Sequence, residues 1–233
     1  MKLSIILPTY NERKNIIPLI AVIKRMLDAR EHDYEIVVVD DNSPDGTGEA
    51  VKEFSGKHKD VKCIIRSDEK GLATAIEKGI RNARGALILI MDTDFSHTPR
   101  TIPRLIKAIE DSDVAVASRY IKNGSMRAPW YKYIGSFLMN KVINAILNLG
   151  VSDSTGGFII FRRKDIEGLD MDKIFSGYGE YCFKLLYALR AKGRKIKEIP
   201  FRYGIRRHGR TKSNLVSMGV MYLFEAFRTR LAA

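Results

Sequence analysis

The chain has 233 residues, 45% of them apolar, two cysteines and a formal net charge of +13. That length suits one large α/β domain or two small ones with an ample core. Cys63 and Cys182 lack metal-knuckle or redox spacing, and no run of about 18 uncharged apolar residues offers a membrane span. The charge is lopsided: Lys and Arg outnumber Asp and Glu by 14 in residues 118–233 and fall one short of them in residues 1–117. An anionic partner is expected for the second half, and the lack of any RNA-binding or helix-turn-helix signature argues against nucleic acid.

In chain order, residues 2–7 read as a buried strand. Only five residues separate Lys2 from Pro8, too few for a signal-peptide core, so a cytoplasmic chain is expected. The turn from Pro8 to Glu12 leads into a helix whose apolar stripe runs through Ile16, Ile20, Ile23 and Leu27. Residues 34–39 form a second strand ending at Asp40, followed by a turn and a helix over 47–57; residues 61–65 form a third strand, and Gly71 opens a small-residue helix that Gly85 stops. Three such units predict a mostly parallel sheet covered by helices. No G-x-G-x-x-G or G-x-x-x-x-G-K-[ST] occurs, so neither a dinucleotide fingerprint nor a P-loop is present.

The fourth strand, the apolar run 87–91, ends in Asp92-Thr93-Asp94. Open α/β sheets bind ligands at the C-terminal ends of their strands, and hard carboxylate oxygens there suit Mg²⁺ or Mn²⁺. Asp94 lies past the strand, so the two carboxylates are expected to divide the work, one on a metal and the other on a ligand hydroxyl or on the same ion. A helix over 103–111 and a strand over 114–117 follow, the latter ending at Ser118-Arg119-Tyr120. Residues 130–148 form an apolar-rich helix bearing Lys132, Ser136 and Lys141, suited to the core or to an amphipathic surface. Residues 158–161 and 195–200 read as strands, 180–191 as a helix, 206–212 as a cationic loop expected to act as a lid over an anion, and 218–227 as an amphipathic tail.

Seven blocks, ILPTYNE at 6–12, VVVDDNSPDGT at 37–47, KGLATA at 70–75, MDTDFSH at 91–97, ASRY at 117–120, VSDSTGGF at 151–158 and RRHGRTK at 206–212, occur in an order that resembles the inverting, metal-dependent family 2 glycosyltransferases. Within that family the likeness is to dolichol-phosphate mannose synthases and their polyprenyl-phosphate relatives. The resemblance implies a single-domain, GT-A-like fold over residues 1–213. Its donor half would be 1–117 and its acceptor half 118–213, followed by an amphipathic helix over 214–233. It implies a nucleotide sugar donor, with Pro8, Tyr10, Glu12 and Asp40 around base and ribose. Asp92 and Asp94 would lie at the diphosphate and metal, with Arg119, Arg206 and Lys212 also on the donor. Ser96 stands where the synthases often carry Gln and is the remaining candidate metal ligand. Arg119, Lys132 and Ser136 would receive the acceptor phosphate.

The expected reaction is metal-dependent, inverting transfer of a hexose to dolichyl or polyprenyl phosphate, with mannose from GDP-mannose ahead of glucose from UDP-glucose. Asp94, Arg119, Lys132, Arg206 and Lys212 are the candidate catalytic residues. A phosphate nucleophile arrives ionised and needs no general base. Transfer to a hydroxyl, with Glu180 or Asp153 as base, is the rival; a basic nucleotide- or RNA-binding protein is the distant one. The lipid acceptor implies peripheral attachment to the cytoplasmic face of a membrane. Many prokaryotic relatives continue into transmembrane helices, so attachment here is expected through a small anchor subunit or through basic and amphipathic surfaces.

Overall fold

A computed structural model describes residues 2–209 and 215–232, with side chains from 218 onward in the second stretch. β1 (Leu3–Thr9) is buried at all seven positions, as a strand covered on both faces must be. It pairs in parallel with β2 (Tyr34–Asp40) on one side and β4 (Leu87–Ile90) on the other; β3 (Val61–Ile65) extends the sheet beyond β2. The helices α1 (Arg13–Asp28), α2 (Thr47–Lys57) and α3 (Leu72–Asn82) make the crossovers.

Past β4 the direction changes. The apolar run before 162 becomes β7 (Ile159–Arg162), antiparallel to both β4 and β5 (Val114–Ser118), and β8 (Ile196–Pro200) completes the seven strands in the order β3-β2-β1-β4-β7-β5-β8. The two-residue strands β6 (Ser125–Met126) and β9 (Arg202–Tyr203) pair apart from this sheet.

Strand alternation divides the core into two layers. Ile6, Ile88 and Ile90 face α3, α5 (Trp130–Leu147), α7 (Tyr181–Ala191) and α8 (Leu215–Leu231), whereas Ile5, Leu7, Leu89 and Met91 face α1 and α4 (Ile102–Ala108). The short α6 (Met171–Ile174) precedes α7. The tail helix joins this core through Tyr222 and Ala226, both buried. Gly79 lets α3 approach β1, since a Cβ there would lie 2.5 Å from Ile6 Cγ2. The role expected for Gly85 needs correction: α3 already ends at Asn82, and Gly85 is required because a Cβ would lie 2.7 Å from both the Lys2 carbonyl and the Ser4 nitrogen.

Candidate functional site

The C-terminal edge of β1, β2 and β4 gathers three turns. In the first, the backbone of Asn11 and Glu12 donates to Ser43 Oγ and Thr47 Oγ1 at 2.9 Å each, binding the start of α1 to the turn after β2. Asp40 organises that second turn: its carboxylate accepts from Thr9 Oγ1 at 2.9 Å, Ser43 Oγ at 2.6 Å and Ser43 N at 2.8 Å, and is almost fully buried. Three of its roughly four acceptor positions are thereby in use. Tyr10 lies beside Lys70, whose Nζ is 5.4 Å from the ring centre. Pro8 is buried in β1, and Thr93 Oγ1 donates to its carbonyl at 3.5 Å, joining the first turn to the acidic one.

That third turn treats its two carboxylates differently. Asp94 is 5% exposed and accepts from Ser96 N at 2.9 Å and from Ser96 Oγ, both through Oδ1; this is an Asx-turn closed by Phe95 in the left-handed region at φ 69°. Its Oδ2 lies 2.9 Å from Arg206 Nη2, and Arg206 Nη1 donates to Glu12 Oε1 at 2.7 Å. Asp92 keeps 40% of its side chain open. Its backbone nitrogen donates to His97 Nδ1 at 2.9 Å, which assigns the ring proton to Nε2, 3.6 Å from Asp92 Oδ2. Desolvation by the surrounding protein raises the Asp92 pKa; His97 and Arg206 oppose it, and the Asp94 and Glu12 charges reinforce it.

His97, within MDTDFSH, is a site residue that motif spacing alone does not identify. It is fully buried, stacked on Phe158 at 4.8 Å and met edge-on by Tyr203 at 5.8 Å. From Tyr203 a continuous series leads into the second half. The Arg119 guanidinium lies over the rings of Tyr203 and Tyr120 at 5.6 and 4.9 Å, and Tyr120 Oη donates to Ser136 Oγ at 2.7 Å. Lys132, one turn before Ser136 on α5, is exposed and has no carboxylate partner among the described residues. Arg119 is already engaged: its N, Nε and Nη2 donate to the Asp153 carboxylate at 2.9, 2.7 and 2.7 Å.

The two carboxylates considered as bases are both withdrawn. Asp153 is fully buried in that pair, and Glu180 is 2% exposed, with its Oε1 at 1.8 Å from where a Gly177 Cβ would lie. Arg206 pairs with Glu12 and Asp94, while Lys212 falls outside the described residues.

The glycosyl transferase family 2 model matches residues 4–169, which holds both carboxylate turns, Arg119 and Asp153. The chain belongs to that family. Among curated family relatives, it is 39% identical to a dolichol-phosphate mannosyltransferase of Pyrococcus furiosus over 91% of the chain, and spans 59% of that protein's length. It is 35% identical to a polyprenol monophosphomannose synthase of Mycolicibacterium smegmatis over 89% of the chain and 79% of that protein. Solved structures of a glucosyl-3-phosphoglycerate synthase from Mycobacterium tuberculosis share the GT-A fold. One, holding Mn²⁺, UDP and product, superposes with a TM-score of 0.69 at 17% identity, covering 99% of this chain and 80% of that one; another, holding Mg²⁺ and UDP, gives 0.67, again at 17% identity, over 99% and 79%.

Proposed function

We propose that the chain transfers a hexose, with mannose from GDP-mannose the favoured donor, to a dolichyl or polyprenyl phosphate at a membrane surface. The observation that carries this reading is the pairing of an oxygen-rich acidic turn with a cationic acceptor side that lacks an available base. No trio of acidic, His or Cys side chains among the described residues is placed to hold a metal by itself, but Asp92 and Asp94 offer hard oxygens, and few protein ligands suffice where substrate phosphates complete the shell. Asp92 and Asp94 would hold the ion, with the Ser96 hydroxyl beside them. When bound, it offsets the charge of the nucleoside diphosphate. The Mn²⁺ and Mg²⁺ bound by the mycobacterial neighbour support this choice.

Pro8, Tyr10, Glu12 and Asp40 form the wall for base and ribose. On the other side, Arg119 fixes Tyr120 beneath its guanidinium plane, Tyr120 aims Ser136, and exposed Lys132 adds charge. A lipid monophosphate positioned there is already anionic, its second ionisation lying near pH 6 by analogy with phosphorylated side chains, so its oxygen attacks the anomeric carbon directly and with inversion. The bond to the donor phosphate breaks as the new bond forms, and the nucleoside diphosphate leaves. Burial of Asp153 and Glu180 favours this over a hydroxyl acceptor, which would need proton removal. The names of the two curated relatives favour mannose and a polyprenol phosphate.

The membrane side is supported by α5 and α8. Trp130, Ile134, Leu138 and Val142 recur every fourth residue on α5, and Val220, Phe224, Phe227 and Leu231 follow helical spacing on α8; all eight are exposed. Lys132, Lys141, Arg228 and Arg230 stand on the same helices, the composition of an interfacial surface. No helix among the described residues is long and apolar enough to cross a membrane.

Radiolabelled GDP-mannose and UDP-glucose, each offered with polyprenyl phosphate with and without EDTA, test the reading. Metal-dependent label in the lipid extract from GDP-mannose is expected. Label from UDP-glucose alone would shift the donor, and label in neither extract would refute the proposal.

A further inference from the structure

We infer that Arg206 occupies the place of the divalent ion when no ion is bound, so that metal loading and release of the segment carrying Arg206 are one coupled event. This rests on the metal-dependent reading above.

Every oxygen of Asp94 and Glu12, the two carboxylates that Arg206 bridges, is already spoken for. Asp94 Oδ1 takes the Ser96 backbone and hydroxyl, and Oδ2 takes Arg206 Nη2 at 2.9 Å. Glu12 Oε1 takes Arg206 Nη1 at 2.7 Å, and Oε2 takes Asn15 Nδ2 at 2.6 Å. Each of the two carboxylates is 5% exposed. An inner-sphere bond to Mg²⁺ needs an oxygen at about 2.0–2.1 Å, and a guanidinium on that oxygen competes for the same lone pairs and the same charge. The forked geometry of arginine satisfies two carboxylates from separate turns, which a point charge on lysine would do less well. Without some cation, the Asp94 and Glu12 carboxylates would repel each other; with both cations present, the cations would.

The segment's anchors are the turn it neutralises and the start of α1. Arg207 N donates to the Asp94 carbonyl at 3.0 Å, Gly204 N to the Ser96 carbonyl at 2.9 Å, and Asn15 Nδ2 to the His208 carbonyl at 3.2 Å. The Arg207 guanidinium covers the ring of Phe95 at 4.2 Å, holding the one residue of the turn that has left-handed backbone. Removing Arg206 from Asp94 therefore loosens contacts at both ends of the acidic turn. The Arg206 side chain is 25% exposed, so it can leave without disturbing the core. Once displaced, its charge is free for an incoming anion, and the nucleoside diphosphate is the anion the same cleft receives.

The test is Mn²⁺ binding to the full chain without nucleotide, read from the paramagnetic resonance signal of the free ion, for the wild type and Arg206→Gln. The variant is expected to bind about tenfold more tightly or better, tenfold being about 1.4 kcal/mol. Equal or weaker binding by the variant, or no binding by either protein without nucleotide, overturns the coupling alone; absence of binding by both proteins even with a nucleoside diphosphate overturns the metal reading and the coupling with it. Should Arg206→Gln fail to fold, trypsin applied to the wild type decides. Cleavage after Arg206 and Arg207 is expected to accelerate as Mn²⁺ is added, and a rate that stays constant or falls overturns the inference.

Discussion

Arg119 and Asp153 form a buried two-pronged ion pair, Nε and Nη2 each 2.7 Å from a carboxylate oxygen, with the Asp153 side chain fully enclosed. Burial alone would lower the Arg119 pKa, but the Asp153 charge and hydrogen bonds outweigh it and keep the guanidinium ionised. The pair fixes the arginine between Tyr120 and Tyr203. Arg119→Ala strands a buried carboxylate and is expected to cost about 3–5 kcal/mol of stability, the usual loss when one partner of a buried pair is removed. Urea denaturation of the variant measures this; a loss under 1 kcal/mol would show the pair to be open to water.

A second ion pair gives the tail helix a pH response. Lys184 Nζ lies 2.7 Å from Glu225 Oε2, joining α7 to α8. Burial pushes the Glu225 carboxyl up, but the hydrogen bond and charge of Lys184, with Arg228, hold it below its ordinary value. A depressed carboxylate contributes stability that is present above its unfolded pKa, about 4.3, and lost as pH falls through the folded one. Glu225→Gln is therefore expected to cost about 1–3 kcal/mol at pH 7. The gap from wild type should close under acid conditions, as the wild-type carboxyl protonates. Thermal melts of both proteins across that range check it; a gap independent of pH would contradict it.

Trp130 is the sole tryptophan of the chain and is 74% exposed at the start of α5. Its emission is expected to move to the blue when vesicles containing anionic lipid are added. The pair of changes Leu138→Glu and Phe224→Glu, both at exposed positions, should abolish the shift while leaving stability within about 0.5 kcal/mol. An unchanged spectrum with wild type would remove the interfacial role of this face.

The first half of the chain was legible because its signals are local. Continuous apolar runs mark β1, β2 and β4, and the ends of those strands carry the acidic turns. The other half was less so. An apolar run such as the one around Ile160 carries no mark of direction, so the antiparallel β7 came only from the structure. Strands of two residues, Ser125–Met126 and Arg202–Tyr203, are too short to show alternation. The partner of Asp153 lies 34 residues away in sequence, and nothing near Arg206 in the chain discloses Glu12 or Asp94. Buried charge pairs between distant segments are what a single sequence hides most completely. His97 was the exception: its fixed spacing from Asp92 was visible, and only its chemistry went unread.

In the proposed reaction the nucleophile arrives already ionised and needs no protein base. Single-turnover transfer from labelled GDP-mannose in the presence of Mn²⁺, compared between polyprenyl phosphate and the free polyprenol and repeated with Glu180→Gln, tests it most directly. Expected is transfer to the phosphate alone, with its rate rising as the phosphate loses its second proton near pH 6 and unaffected by Glu180→Gln. Transfer to the free polyprenol, abolished by Glu180→Gln, would contradict it.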